Sequence, residues 1–383
     1  MSAVFAISTP FFVCLFYLIL TGIEAYKNKC SKNRRALFVF FTAATILYFG
    51  HGVFFSHNTD LIPFTDWLYA TCNLAVYPLW YLYICKLTQK ETSLVHQLII
   101  LLPTILGCIA VGIVYIIMSE SDIKLFIDHY LYHNQYENLS TLAKAQARIH
   151  SACKVMFAIQ IIPALYLGYE KINKFNKYVK NTYSDIENKI VPASMHYLLV
   201  LFVITSLASF VVNIIGRYRF ADSLLLISIP SIIFSVLLFS IGYVCITYNF
   251  SIEDIANDNK QIDDFIEENT QPSELRIRIE KLMEEEKIYL QPNLKLQDVI
   301  RYVQSNRNYV YNAINKEMGI SFNDYINKLR IEYAKTLLIK QSNLSLNEIA
   351  EKSGFTSTAS FYRNFKSFVG VSPKEFQHSE STK

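Results

Sequence analysis

The stretch GFTSTASFYRNFKSFVGVSP, residues 354–373, mixes small polar, aromatic and basic side chains. Such a mixture can donate to phosphate oxygens and reach base edges, which is the chemistry of a DNA groove. Other chemistries are poorly provided for. The seven cysteines (Cys14, Cys30, Cys72, Cys85, Cys108, Cys153 and Cys245) all lie before residue 250, most of them inside apolar runs, with no CxxC or Cys/His ligand spacing. They read as small hydrophobes rather than as a disulfide or metal set. His129, His133 and His150 form a looser cluster, either a metal- or pH-sensing group or surface histidines of no special role. There is no Gly-rich nucleotide loop, and beyond residue 250 only Gly319, Gly354 and Gly370 occur, which argues against a fused kinase. No enzyme activity, metal or cofactor is expected.

The elements that must position the groove-like stretch fall into two very different parts. Of 383 residues 52% are apolar and only 18% charged, and the charges concentrate after Phe250, so a membrane part is followed by a water-soluble one. Seven apolar runs, approximately 4–26, 36–56, 64–85, 97–118, 152–169, 196–216 and 223–248, have about the length needed to span hydrocarbon as helix. The first lacks a basic start and is too long for a signal-peptide core, so it is expected to stay in the protein. KNKCSKNRR (27–35) carries five basic residues and EKINKFNKYVKNTYSDIENK (170–189) five lysines, whereas HNTDLIP (57–63) has neither Lys nor Arg. Basic loops are retained on the cytoplasmic side, which places the N-terminus outside and the C-terminus inside. Arg217 and Arg219 lie in an outer loop on this reading and are outweighed.

Polar residues inside the runs (His51, Asn73, Lys154, Gln160, Asn213) either line a ligand pocket or make interhelical hydrogen bonds. Pro78, Pro103, Pro163 and Pro230 either kink helices around a cavity or are simply tolerated. The last run holds no lysine, so a retinal Schiff base has no support. The 119–150 segment is the one outer loop large enough for structure of its own, and its IKLFIDHYLYH is amphipathic, as a helix lying on the membrane or capping a pocket would be.

After residue 250 the chain opens with an acidic stretch. Ile252, Ile255, Ile262 and Ile266, with Asn259 between them, follow a 3-4-3-4 spacing that suits a short two-stranded coiled coil and hence a homodimer, and equally a linker helix or disorder, ended by Pro272. Helices are expected at 273–289, 291–303, 307–319, 321–340, 344–355 and 357–370, with Asn306 and Ser357 as N-caps and Gly319 and Gly370 as stops. The layout is helix, turn, helix twice over, with the long 321–340 helix as spacer. Ala350 permits close helix approach in the second unit, and Gly354 supplies its turn. The domain reading is 1–249 membrane region, 250–274 linker, 275–377 DNA-binding domain and 378–383 tail.

Residues 275–377 resemble the DNA-binding domain of the AraC/XylS family of bacterial transcription regulators. The match runs through NYVYNAIN, GISFNDYINKLRIEYAKTLL and LNEIAEKSGFTSTASFYRNFKSFVGVSPKEF, including the Gly-Phe turn, the Phe-Lys pair and the closing Ser-Pro. It covers about a quarter of the chain. Two positions depart from the family pattern, Ile300 where a small Ala is common and Gln304 where a Gly is common. The resemblance implies that Asn308, Tyr311 and Asn312 face the major groove from the first recognition helix, and Thr358, Ala359, Ser360, Tyr362 and Arg363 from the second. Arg307, Asn315, Lys316 and Lys366 are placed for phosphates, while Tyr309, Ile314, Phe355, Phe361 and Phe365 belong to the core. The chemistry agrees, since Asn can pair with adenine, Arg with guanine, and the methyls of Thr358 and Ala359 can touch thymine. This domain carries 16 Lys plus Arg against 11 Asp plus Glu, a modest positive balance for phosphate attraction.

The expectation is therefore an all-α chain, a seven-helix transmembrane bundle followed by a cytoplasmic double helix-turn-helix domain. Its function would be a membrane-tethered, sequence-specific regulator in the bacterial inner membrane, with double-stranded DNA, the lipid bilayer and a small-molecule or protein signal as partners. The alternative is a transporter or anchor whose DNA-binding tail is regulatory or released by proteolysis.

Overall fold

The computed structural model describes residues 2–27, 31–89, 92–215, 224–259, 272–341 and 344–381. Among them the named elements are all helical, and the isolated β pairing is a bridge between Tyr183 and Lys295. The chain divides into two compact units, each drawn from two segments: Met1–Ile172 with Val191–Glu253, and Asn173–Ile190 with Asp254–Lys383.

Each predicted apolar run falls largely within a helix among the described residues: α1 (Ser2–Lys27), α2 (Lys32–Phe55), α3 (Ile62–Thr88), α4 (Leu94–Ile117), α6 (Thr141–Lys180), α7 (Ala193–Ile215) and α8 (Leu224–Thr247), with the short α5 (Glu120–Leu125) after α4. Five stretches among the described residues are long and apolar enough to cross a membrane: Ile7–Lys27, Lys32–Phe55, Leu94–Ile117, Thr141–Lys180 and Ser228–Ala256. Along α4, Leu98, Leu102, Ile105, Leu106, Ile109 and Ile113 form an exposed apolar ridge that water would disfavour and lipid would solvate. Against the seven apolar runs expected, five stand out among the described residues, and α3 is one that falls short. Asp66, Asn73 and its tyrosines lower its hydropathy, and Tyr77, Trp80, Tyr81 and Tyr83 are buried in protein. A helix enclosed by its neighbours need not be as apolar as one that meets lipid.

Several polar groups in the first unit are spent on helix packing. Pro78 lacks the N–H that would bond the Leu74 carbonyl, and Thr104 Oγ1 from α4 (2.9 Å) and Gln160 Nε2 from α6 (2.8 Å) donate to that carbonyl instead. Pro78 is thereby tolerated, and Gln160 makes an interhelical bond. The buried Arg34 pairs with Glu24 at 3.1 Å and donates to the carbonyls of Cys245 (3.0 Å) and Ile246 (3.2 Å) and to the side chain of Asn249. A charge counted from sequence as a topology signal thus also caps the negative C-terminal end of α8.

The 119–150 segment starts with a capping box between Ser119 and Asp122, then turns π-helical over Phe126–Leu131 and buries Phe126, Ile127 and Tyr130 in the bundle core. His150 does not join His129 and His133 in a surface cluster. It is buried on α6 with Nε2 2.7 Å from Asp66 Oδ2, to which the Tyr115 hydroxyl also donates at 2.7 Å. Among the described residues no group of three or more His, Cys, Asp or Glu is placed to hold a metal.

The second half of the chain holds α9 (Ile252–Asn259), α10 (Pro272–Glu285), α11 (Leu296–Val303), α12 (Arg307–Asn312), α13 (Phe322–Lys340), α14 (Leu346–Lys352), α15 (Thr358–Val369) and α16 (Pro373–Ser381). Ile255 is buried within the chain itself, so it is not presented to a coiled-coil partner; Ile262 and Ile266 lie outside the described residues. Pro272 opens α10, where its fixed φ suits a first turn. The helix expected to reach residue 289 stops at Glu285, because Lys287 takes a left-handed φ of 50° and Ile288–Leu290 tightens to a 3-10 turn.

Candidate nucleic-acid interface

Two cores share α13 as their spine. Its first half supplies Phe322 and Ile326, which pack with Leu275, Ile279, Val299 and Ile314. Its second half supplies Ile331, Ala334 and Leu338, which pack with Ile349, Phe355, Phe361 and Phe365. Each core carries one helix-turn-helix. In the first, α11 ends at Gln304 in the left-handed region (φ 51°), Asn306 accepts from the Tyr309 amide at 3.0 Å, and α12 runs on as a π-helical turn over Ala313–Glu317. In the second, Ser345 and Glu348 close a capping box on α14, Gly354 turns the chain at φ 80°, and Ser357 accepts from the Ser360 amide at 3.1 Å to start α15. Gly370 stops α15 at φ 89°. Of the core residues expected from sequence, Ile314, Phe355, Phe361 and Phe365 are buried, and Tyr309 is half-buried against the first core.

The twelve side chains expected at DNA divide as follows. Asn308 and Lys316 on the first unit, and Ala359, Tyr362, Arg363 and Lys366 on α15, are exposed. Asn312 and Thr358 are half-buried, and the Thr358 hydroxyl donates to Asn347 Oδ1 at 2.9 Å. Asn315 spends its amide on the Tyr311 carbonyl of its own helix, at 3.1 Å. Ser360 departs from the expectation. It is buried beside Phe361, because the helical rotation that turns 361 and 365 inward carries 360 and 364 with them and leaves 359, 362, 363 and 366 outside.

Arg307 and Tyr311 already have partners, and these come from the 173–190 segment that packs in the same unit. Arg307 Nη2 donates to Thr182 Oγ1 (3.2 Å) and its guanidinium lies over the Tyr178 ring, while Asn181 donates to the Tyr311 hydroxyl (3.2 Å). On the second unit, Arg363 Nη2 lies 3.4 Å from Glu187 Oε1, Ser357 Oγ donates to Glu187 Oε2 at 2.9 Å, and Thr356 Oγ1 donates to Asp185 Oδ2 at 2.6 Å.

Sequence reasoning missed the residue that holds this arrangement. Arg330 of α13 is buried, donates to the carbonyls of Tyr289 (2.7 Å) and Gln291 (2.8 Å), and reaches Ser184 Oγ at 3.3 Å. Burial pushes its guanidinium down to about 10, an effect that the nearby Asp185 carboxylate opposes. The available signal was an arginine in the middle of an apolar stripe, next to Ile331 and one turn from Ala334.

Residues 299–379 match the family described as helix-turn-helix domain. The C-terminal domain is an AraC-type helix-turn-helix domain. An HTH-type transcriptional regulator of Staphylococcus aureus (strain COL) is 28% identical over 148 residues, 38% of this chain and 17% of that protein. The melibiose operon regulatory protein of Escherichia coli (strain K12) is 32% identical over 84 residues, 22% of this chain and 28% of that one. The solved C-terminal domain of the two-component response regulator yesN from Fusobacterium nucleatum is 28% identical, covering 27% of this chain and 96% of that domain, at a TM-score of 0.25. This chain therefore spans less than a third of the length of either regulator.

Proposed function

We propose that this protein is a membrane-tethered transcription regulator in which one chain holds a seven-helix sensor region, facing the bacterial periplasm, and a sequence-reading DNA-binding domain at the cytoplasmic face. The observation that carries the reading is a helix-turn-helix domain joined in one chain to five helices apolar enough to span a bilayer. The division of the chain supports the orientation. Residues 173–190 pack in the same compact unit as the helix-turn-helix domain, which supports placing both on one side of the membrane, and that loop is the lysine-rich one that charge retention places inside. A stimulus acts by binding two packings of the bundle unequally. Asn308, Asn312, Thr358, Ala359, Tyr362 and Arg363 read bases, and Arg307, Asn315, Lys316 and Lys366 hold phosphates.

The test is genome-wide DNA crosslinking of the tagged full-length protein, wild type against Arg363→Ala with Asn312→Ala. Discrete sites occupied by the wild type and lost in the variant are expected. An absence of discrete sites across growth conditions, with the protein in the membrane, would shift the reading to a transporter or anchor.

A further inference from the structure

We infer that residues 181–190 form an autoinhibitory strap lying on the DNA-reading side of both helix-turn-helix units, which must lift before a duplex can seat. The inference rests on the DNA-binding reading above.

The strap is docked by specific bonds. Tyr183 pairs with Lys295 as an antiparallel bridge, with Ser184 N–H donating to the Leu294 carbonyl (3.0 Å) and Leu296 N–H to the Thr182 carbonyl (2.9 Å). Asn323 (2.6 Å) and Asn327 (3.3 Å) of α13 donate to the Ser184 carbonyl, and Arg330 reaches its hydroxyl. Asn181, Thr182, Tyr183 and Ser184 are all buried. From this anchor the strap extends to both recognition helices.

What it offers the second helix is the chemistry of a nucleic-acid backbone. The loop is rich in lysine, yet the side chains it turns toward Thr356, Ser357 and Arg363 are its acids, Asp185 and Glu187. Two hydroxyls at the start of a twelve-residue helix are donors that suit a phosphate, at the positive end of the helix dipole, and the Arg363 guanidinium nearly two turns further on is the base-reading donor that the strap occupies. Carboxylate oxygens there satisfy the same donors, so strap and phosphate are mutually exclusive. On the first helix, Arg307 and Tyr311 are engaged by Thr182 and Asn181 in the same way.

A brace serving only stability has its bonds in the buried Ser184 and Arg330. The Glu187 contact adds little to that, because the Arg363 side chain is 61% exposed and exposed pairs are weak. Weakness suits a competitor, since a duplex with many phosphates can displace it. The strap is also the direct continuation of α6, the helix that carries His150 in the first unit, so movement of α6 has a covalent route to the strap.

The test uses the full-length protein in lipid nanodiscs and a fluorescein-labelled duplex of mixed sequence at fixed salt. Asp185→Asn with Glu187→Gln is compared with wild type and with a charge-matched control, Glu284→Gln with Glu286→Gln, at exposed positions in and just after α10. Roughly tenfold tighter binding than the control is expected, since freed donors add phosphate contacts. Affinity equal to or weaker than the control overturns the strap and leaves the DNA-binding reading standing. No binding by any of the chains overturns both. Hydrogen exchange gives a second readout: strap amides of the wild type should lose protection when duplex is added, and protection retained in the bound protein overturns the proposal even if the affinities differ.

Discussion

The two helix-turn-helix units solve one geometric problem in two ways. The second places Ala350 before its turn and Gly354 in it, and a side chain at 354 would put Cβ 2.6 Å from the Leu290 carbonyl oxygen. The first places Ile300 and Gln304 at the corresponding positions. Ile300 is fully buried in a core enlarged by α10, and Gln304 adopts φ 51° despite its Cβ. The second turn is therefore tight and intolerant, while the first is looser and carries strain that its larger core offsets. The strap follows the same division: neutral groups meet the first recognition helix and carboxylates meet the second.

The largest expected effect breaks the tight turn. Gly354→Ala combines a left-handed φ with a backbone clash and is expected to destabilise the second unit by about 2–4 kcal/mol. Hydrogen exchange on the full-length protein checks it locally: amides of α14 and α15 should open far more readily, and those of α11 and α12 should change little. Equal loosening of both units would show that α13 makes them one cooperative body and would dissolve the comparison. The opposite sign is expected at the other turn. Gln304→Gly relieves a left-handed residue and should protect α11 and α12 by about 0.5–1 kcal/mol after the entropy cost of glycine is allowed for. No gain would mean that the Gln304 side chain contributes packing that outweighs its strain.

How much of this was legible depends on whether the cause is local. The caps at Asn306 and Ser357 and the stop at Gly370 are set by residues within one turn, and the structure forms them where the sequence indicated. The alternating long apolar runs were readable for the same reason, as helices. The content of α3 was not, since its tyrosines and Asp66 make sense only once surrounding helices enclose them. Ser360 was misplaced by one helical step, because position in a motif does not fix which way a first-turn residue rotates. Most of all, the 173–190 segment read as a basic loop because its lysines outnumber its acids. That Asp185 and Glu187 meet residues some 170 positions later leaves no periodic trace.

The smallest expected effect concerns the caps of the two leading helices and follows from acid titration. At α14 the Ser345 amide (2.8 Å) and hydroxyl (2.8 Å) both donate to Glu348, and these bonds hold its carboxyl below the usual 4.5. A carboxyl depressed in the folded state contributes stability that is fully present above its unfolded value and is lost as pH falls through the folded one. Protection of α14 amides, corrected for intrinsic exchange, should therefore fall on acidification below about 4.5. In Glu348→Gln it should start lower at neutral pH and show a flatter dependence. At α11 the corresponding carboxylate, Asp298, accepts from the Lys295 amide at 2.8 Å, and Lys295 has no hydroxyl to complete the pair. If α14 in Glu348→Gln keeps the acid sensitivity of the wild type, the titrating group lies elsewhere, and the contrast between the units reduces to their turns.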